Sequence, residues 1–226
     1  MRRISTLFLI LIGVLLLNAS FAQSSRFGRF EGKVMTEWED DGRHMRLLAD
    51  FRYFDPRGTD WLAPKGRRID GASIPRVFWT FIGGPFEGKY RNASVVHDIA
   101  CDDKARTWQS VHRMFYFASR TGGVGPLNAA IMYGAVYHFG PRWPGSKSSG
   151  LVVSSAYAQD LPPRTLTTDD DFLRMREYIV MEYRRLKGDI SLEFVERLTS
   201  AFLKDKVPEI SASARNLRGF VPEPAK

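Results

Sequence analysis

The sequence predicts an α+β protein in which a small antiparallel β-sheet or hairpin is followed by a Gly/Pro-rich loop and a packed helical bundle. Three observations predict this order. Apolar and polar residues alternate over residues 30–53, Gly, Pro and aromatic residues crowd residues 66–90, and apolar residues recur at helical spacing from residue 92 onward. We therefore expect the strands to come first in the chain and the helices last.

Two alternating runs predict the hairpin. Residues 30–38 and residues 45–53 both alternate between apolar or small residues and polar ones, a pattern that is typical of strands with one buried face. Asp41-Gly42 lies between the two runs and is a turn signal. The segment WLAP, which follows the second run, predicts a short edge strand.

Helical spacing recurs in five segments. The first three cover about residues 92–102, 107–120 and 127–139, and the third is apolar nearly all round, which favours a buried position. Gly122-Gly123 is the predicted stop of the second helix. The last two helices are expected to begin after Thr168 and at Ser191, because both residue types cap helix N-termini.

Composition divides the chain into three parts. Residues 1–22 combine a positive start, an apolar run and small residues before Gln23, which is the order of a cleaved secretory signal peptide. An uncleaved membrane anchor is the rival interpretation, although the apolar run is shorter than the ~20 residues that a spanning helix needs. Residues 23–145 form the predicted main domain. Residues 146–226 form a linker and a helical extension that ends in a polar, mobile tail.

The net charge of +8 favours contact with anionic surfaces such as cell-wall polymers or membrane headgroups. The basic residues are scattered among acidic ones, and the sequence lacks the basic runs with interleaved aromatics that would predict nucleic-acid binding. We therefore predict an exported protein, periplasmic or secreted, whose partner is a cell-wall polymer or another envelope component. The charge is also compatible with contact with the membrane surface, and the oligomeric state stays open.

His97 and His112 are the residues most typical of a chemical site. His97 lies on the first predicted helix with Ala93 and Cys101 at steps of four, and His112 lies on the second beside apolar residues. If these helices pair in antiparallel fashion, both imidazoles face the same seam. Imidazole and carboxylate ligands suit Zn, Mn or Fe, so we predict that His97, His112 and the adjacent Asp98 bind a divalent metal such as Zn.

Two further residues near this seam have competing interpretations. Asp70, in the segment RIDGASIPRVFW, is either the carboxylate of a turn or a group aimed into a cleft beside His97. On the second interpretation the catalytic residues are Asp70, His97 and Asp98. Cys101 is the only cysteine of the chain, and because unpaired cysteines are usually buried as small apolar residues, we interpret it as part of the core.

Four ordered motifs give the chain a family resemblance. They are DGASIPRVFW from Asp70, GPFEGKY from Gly84, ASVVHD from Ala93 and MYGAVYHFG from Met132. Over residues 51–143 the chain therefore resembles the domain of unknown function 1353 family of bacterial and phage proteins. Many of these relatives carry Asp where this chain has His112, and either residue can bind a metal. The resemblance implies that Asp70, His97, Asp98 and His112 belong to one cluster, and it implies no substrate.

Two functions of different classes remain open on the sequence. One is a metal-dependent hydrolase of the cell envelope, in which a metal held by His97, Asp98 and His112 activates water. The other is a non-catalytic envelope or binding protein, in which Asp70, His97 and Asp98 form a buried hydrogen-bond network that fixes the loop onto the helices. A metal site needs ligand atoms that converge on one point, whereas a network needs only pairwise hydrogen bonds.

Overall fold

The computed structural model of the chain describes residues 26–70, 88–144 and 169–203, with side chains described over 171–201 in the last range. Within these ranges the chain has two small antiparallel sheets followed by helices, which confirms the predicted α+β class. The predicted signal peptide, most of the Gly/Pro-rich loop, the linker, the Thr168 cap and the polar tail lie outside the described residues.

Six short strands form the two sheets. The first sheet has the order β1-β4-β5 and the second has the order β2-β3-β6, and all neighbouring strands are antiparallel. The strands are β1 Arg29–Glu31, β2 Thr36–Trp38, β3 Met45–Leu47, β4 Phe51–Phe54, β5 Asp60–Ala63 and β6 Arg68–Ile69. The predicted edge strand at WLAP is therefore present as β5.

The single predicted hairpin is divided between the two sheets. Strand β1 pairs with β4, whereas β2 pairs with β3, so each alternating run supplies one strand to each sheet. Gly32 interrupts the first run with a φ of +85°, and a Cβ at this position would lie 3.0 Å from the Asp50 carbonyl oxygen. The left-handed backbone at a glycine ends one strand before the next begins, and alternation alone does not reveal this break.

In the part of the chain that the structure describes, five α-helices follow the strands. They are α1 Arg91–Asp103, α2 Trp108–Thr121, α3 Pro126–Phe139, α4 Asp169–Arg185 and α5 Leu192–Leu203. The first three begin and end within one or two residues of the sequence prediction. Among the described residues, no helix combines the length and the apolar character that crossing a membrane requires.

Local signals set the bounds of the helix pair that matters most for the site. Lys104 ends α1 in the left-handed conformation, with a φ of 50°. Thr107 caps α2, because its hydroxyl oxygen accepts the Ser110 N–H. Only four residues therefore separate the two helices, and a connection this short makes them antiparallel neighbours.

The C-terminal helices pack against α3 and α2. Gly134 of α3 provides the space, because a Cβ there would lie 2.9 Å from Ile179 Cδ1. Glu196 of α5 accepts hydrogen bonds from Arg113 Nε at 3.0 Å and from the Tyr133 hydroxyl at 2.5 Å. Burial and the Glu196 carboxylate raise the pKa of the Tyr133 hydroxyl, so this residue remains a donor. The extension therefore shares the packed interior of the helices that carry the histidines.

Candidate functional site

His97 and His112 meet across the seam between α1 and α2. His97 precedes the connection at residues 104–107 by seven residues and His112 follows it by five, so the two side chains face each other across the antiparallel pair. His97 Nε2 is 2.9 Å from His112 Nδ1, and both residues are 0% exposed. The structure thus brings together the two histidines that the sequence places on facing helices.

The second nitrogen of His112 fixes the tautomer of the pair. His112 Nε2 lies 3.1 Å from the carbonyl oxygen of Pro141, which can only accept, so Nε2 carries the proton and donates it. His112 Nδ1 is then an acceptor, and His97 Nε2–H donates to it. A backbone carbonyl that orients an imidazole in this way is the usual outer partner of a metal-binding histidine.

Burial keeps both imidazoles neutral. It lowers the pKa of His97 from 6.5 to about 3. Burial also lowers the pKa of His112 well below its usual range, and the neighbouring His97 acts in the same direction. A neutral imidazole offers a lone pair to a metal, whereas an imidazolium does not.

Aromatic side chains and one glycine enclose the pair. The ring of Phe115 lies 4.8 Å from that of His97, and the Trp108 and Trp143 rings lie 5.6 and 6.4 Å from that of His112. Gly140 allows the chain to pass the His112 ring, because a Cβ there would lie 3.0 Å from its Nε2. These contacts hold the imidazoles in an apolar enclosure, where each polar atom needs a partner.

Cys101 is the third member of this cluster. Its Sγ lies 3.6 Å from His97 Nε2 and 3.9 Å from His97 Nδ1, and the residue is 5% exposed. One ligand atom each from His97, Cys101 and His112 lie within 4.8 Å of one another. The sequence prediction assigned Cys101 to the core, although its step of four from His97 already placed both side chains on one helix face.

Asp98 and Asp70 contact each other at a different edge of α1. Asp98 Oδ2 accepts the backbone N–H of Asp70 at 2.9 Å, which ties the end of β6 to the helix. The Asp70 carboxylate accepts Arg43 Nη2 at 2.9 Å and lies 3.6 Å from His44 Nε2. Among the described residues, the three converging ligand atoms do not include a carboxylate oxygen of Asp98.

Hydrolysis by a cysteine–histidine pair fits this geometry poorly. That chemistry needs a thiolate beside an imidazolium. Burial disfavours both charged forms, and it holds the pKa of His97 far below neutral. The arrangement instead suits either a buried metal or a closed chain of hydrogen bonds.

The comparison with family models covers the three converging residues His97, Cys101 and His112, whereas Pro141 lies beyond it. Residues 45–136 match the family model described as "Protein of unknown function (DUF1353)". This part of the chain is similar to the DUF1353 family. The resemblance read from the four motifs is thereby confirmed, and we refer to residues 45–136 as the DUF1353 region. The family description assigns no activity.

Two curated proteins of Sinorhizobium fredii (strain NBRC 101917 / NGR234) are similar to the chain. "Uncharacterized protein y4jT" is 47% identical over 119 residues, which cover 52% of this chain and 35% of that protein. "Uncharacterized protein y4iH" is 39% identical over 137 residues, which cover 58% of this chain and 57% of that protein. The chain therefore spans between about a third and three fifths of the relatives' own length. No solved structure matches the chain.

The buried histidines predict a specific acid sensitivity of the metal-free protein. Because the folded-state pKa of His97 is about 3 and the unfolded value is 6.5, the unfolded chain binds the extra proton first. The stability that neutral, buried His97 contributes is complete above pH ~6.5. It is lost as pH falls towards about 3, at about 1.4 kcal/mol of unfolding free energy per pH unit. Urea unfolding of EDTA-treated protein between pH 7 and 4 measures this slope.

We expect His97→Gln to reduce the slope by about 1.4 kcal/mol per pH unit, the share of one titrating group. Phe115→Leu is the matched control, since it disturbs the ring packed on His97 but removes no titrating group. It should lower stability by the same amount at every pH. Equal slopes for His97→Gln and the wild type would show that His97 is not held neutral.

Proposed function

We propose that this is an exported cell-envelope protein whose DUF1353 region binds a divalent metal between His97 and His112 and uses it in hydrolysis. The observation that carries the proposal is the 2.9 Å contact between two neutral, fully buried imidazole nitrogens. A divalent metal can bind both of these nitrogens if it replaces the proton that His97 Nε2 donates to His112 Nδ1.

The pair is close to the spacing that a metal requires. Two nitrogens that bind a tetrahedral zinc at 2.0–2.1 Å are separated by roughly 3.3 Å. The observed separation of 2.9 Å therefore needs to widen by only a few tenths of an ångström. The hydrogen bond from His112 Nε2 to the Pro141 carbonyl already directs His112 Nδ1 towards this point.

A metal at this point would supply the nucleophile. Bound zinc lowers the pKa of a water ligand to ~7, which gives hydroxide near neutral pH. The predicted catalytic residues Asp70 and Asp98 hydrogen-bond to each other at a different edge of α1, so in this proposal the metal-bound water reacts without either of them as a direct base. A cell-wall polymer or a phosphodiester of the envelope is the substrate class that the exported protein would meet, and its net charge of +6 (the chain's +8 less Arg2 and Arg3) favours anionic polymers.

A non-catalytic envelope protein is the second candidate, and the closure of the site favours it. His97 and His112 are 0% exposed, and hydrogen bonds connect His97, His112 and the Pro141 carbonyl in sequence. A fully paired polar network of this kind specifies how helices pack without any chemistry. Its signature is a protein that folds and persists without metal.

Metal analysis separates the two candidates. We expect protein that is dialysed after zinc loading to retain about one equivalent, and His97→Ala to lower zinc affinity by at least ~10-fold, because loss of even an outer partner has that effect. His138→Ala is the matched control, since His138 is another buried histidine, on α3. Absence of bound zinc in wild type and His97→Ala alike would overturn the metal proposal.

The same samples test hydrolysis. We expect the zinc-loaded wild type to release soluble fragments from purified peptidoglycan or to cleave an aryl phosphodiester, and His97→Ala to lose this activity. A wild type that binds zinc but cleaves neither substrate would favour the non-catalytic candidate.

Export is tested on the intact chain. The order of charge, apolar run and small residues before Gln23 supports cleavage after Ala22. We therefore expect mass spectrometry of protein expressed in a Gram-negative host to find a periplasmic chain that begins at Gln23. A chain that keeps residues 1–22 and stays in the cytoplasmic fraction would contradict export.

A further inference from the structure

We propose that the Cys101 thiolate is the third protein ligand, so that the DUF1353 region holds a Cys/His2 centre selective for a borderline-soft divalent ion such as Zn²⁺ or Co²⁺. The inference rests on the proposed metal site at His97 and His112. It adds a ligand that the sequence prediction assigned to the core, and it restricts the class of metal.

The distance from the Cys101 sulfur to the His97 ring matches that between two ligands of one zinc ion. A tetrahedral zinc bound by sulfur at ~2.3 Å and by nitrogen at ~2.05 Å separates the two ligand atoms by about 3.6 Å. Cys101 Sγ lies 3.6 Å from His97 Nε2. The sulfur is thus already at its coordination spacing before any metal is added.

Helix geometry accounts for this position. Cys101 follows His97 by four residues on α1, and side chains at this step lie one above the other on the same face. The same step brings the two histidines of the H-E-x-x-H motif to one zinc ion. His112 completes the set from α2, on the opposite side of the seam.

Charge favours a thiolate over a further neutral group. A divalent cation placed in a fully enclosed site loses its hydration, and a negative ligand offsets part of that penalty. Two neutral imidazoles alone would leave a net charge of +2, whereas the thiolate reduces it to +1. Thiolate and imidazole ligands prefer Zn²⁺ or Co²⁺, and Mg²⁺ and Ca²⁺ prefer oxygen ligands.

Metal binding should release one proton. In the metal-free protein Cys101 is a thiol, His97 carries its proton on Nε2, and His112 carries its proton on Nε2. In the metal complex the thiol proton leaves to solvent, the His97 proton moves to Nδ1, and His112 is unchanged. The balance is about one proton released per metal, so affinity rises with pH.

Cobalt absorption tests the thiolate directly. The experiment titrates Co²⁺ into the EDTA-stripped chain and records the near-ultraviolet band of thiolate-to-cobalt charge transfer. We expect the wild type to show this band at one equivalent. Because Cys101 is the only cysteine in the chain, the band in the wild type identifies its sulfur without any variant.

Variants measure the contribution of the sulfur. We expect Cys101→Ser, which is nearly the same size, to lose the band and to bind Co²⁺ at least ~10-fold more weakly. His138→Ala should retain both the band and the affinity of the wild type. Circular dichroism checks that each variant is folded, and the wild-type spectrum decides the question if Cys101→Ser does not fold.

The outcomes distinguish this inference from the proposed function. Cobalt bound by the wild type without the thiolate band would overturn the role of Cys101 and leave the site at His97 and His112 standing. Wild-type affinity retained in Cys101→Ser would have the same meaning. Failure of the wild type to bind cobalt or zinc would overturn both proposals.

Discussion

The hydrogen bond between His97 and His112 is the constraint on which the arrangement of the DUF1353 region depends. It joins two helices through fully buried side chains, and an enclosed imidazole without a partner would destabilise the fold by a few kcal/mol. Several other features serve this contact. The short turn after α1 sets the two positions opposite each other, the Pro141 carbonyl orients the His112 ring, and Gly140 leaves room for that ring.

The rest of the chain is connected to this seam from both sides. On the sheet side, Asp98 follows His97 directly and holds the backbone of Asp70 at the end of β6. On the opposite side, Arg113 follows His112 directly and reaches Glu196 of α5. Each histidine is therefore adjacent to a residue that links its helix to another part of the fold.

The sequence predicted the helices and the meeting of His97 with His112, because helical periodicity and a short connection together determine which faces meet. It did not predict the division of the strands into two sheets, since that depends on the left-handed backbone at Gly32. The sequence analysis also assigned Cys101 to the core and not to the site. Burial frequencies describe cysteine in general, whereas the convergence of Cys101 with both histidines also depends on the orientation of the His112 ring, and the carbonyl that orients it lies 29 residues beyond His112. A local sequence pattern around His112 does not reveal that a distant backbone carbonyl will be its hydrogen-bond partner.

Ring-nitrogen NMR of ¹⁵N-histidine-labelled protein tests the central claim, that two neutral imidazoles hold each other in a form ready for a metal. Spectra at pH 7 before and after one equivalent of Zn²⁺ report the protonation of every ring nitrogen. We expect His112 to carry its proton on Nε2 throughout, and His97 Nε2 and His112 Nδ1 to shift together when zinc is added. An imidazolium at either residue at pH 7, or ring-nitrogen chemical shifts that do not change when zinc is added, would contradict this account.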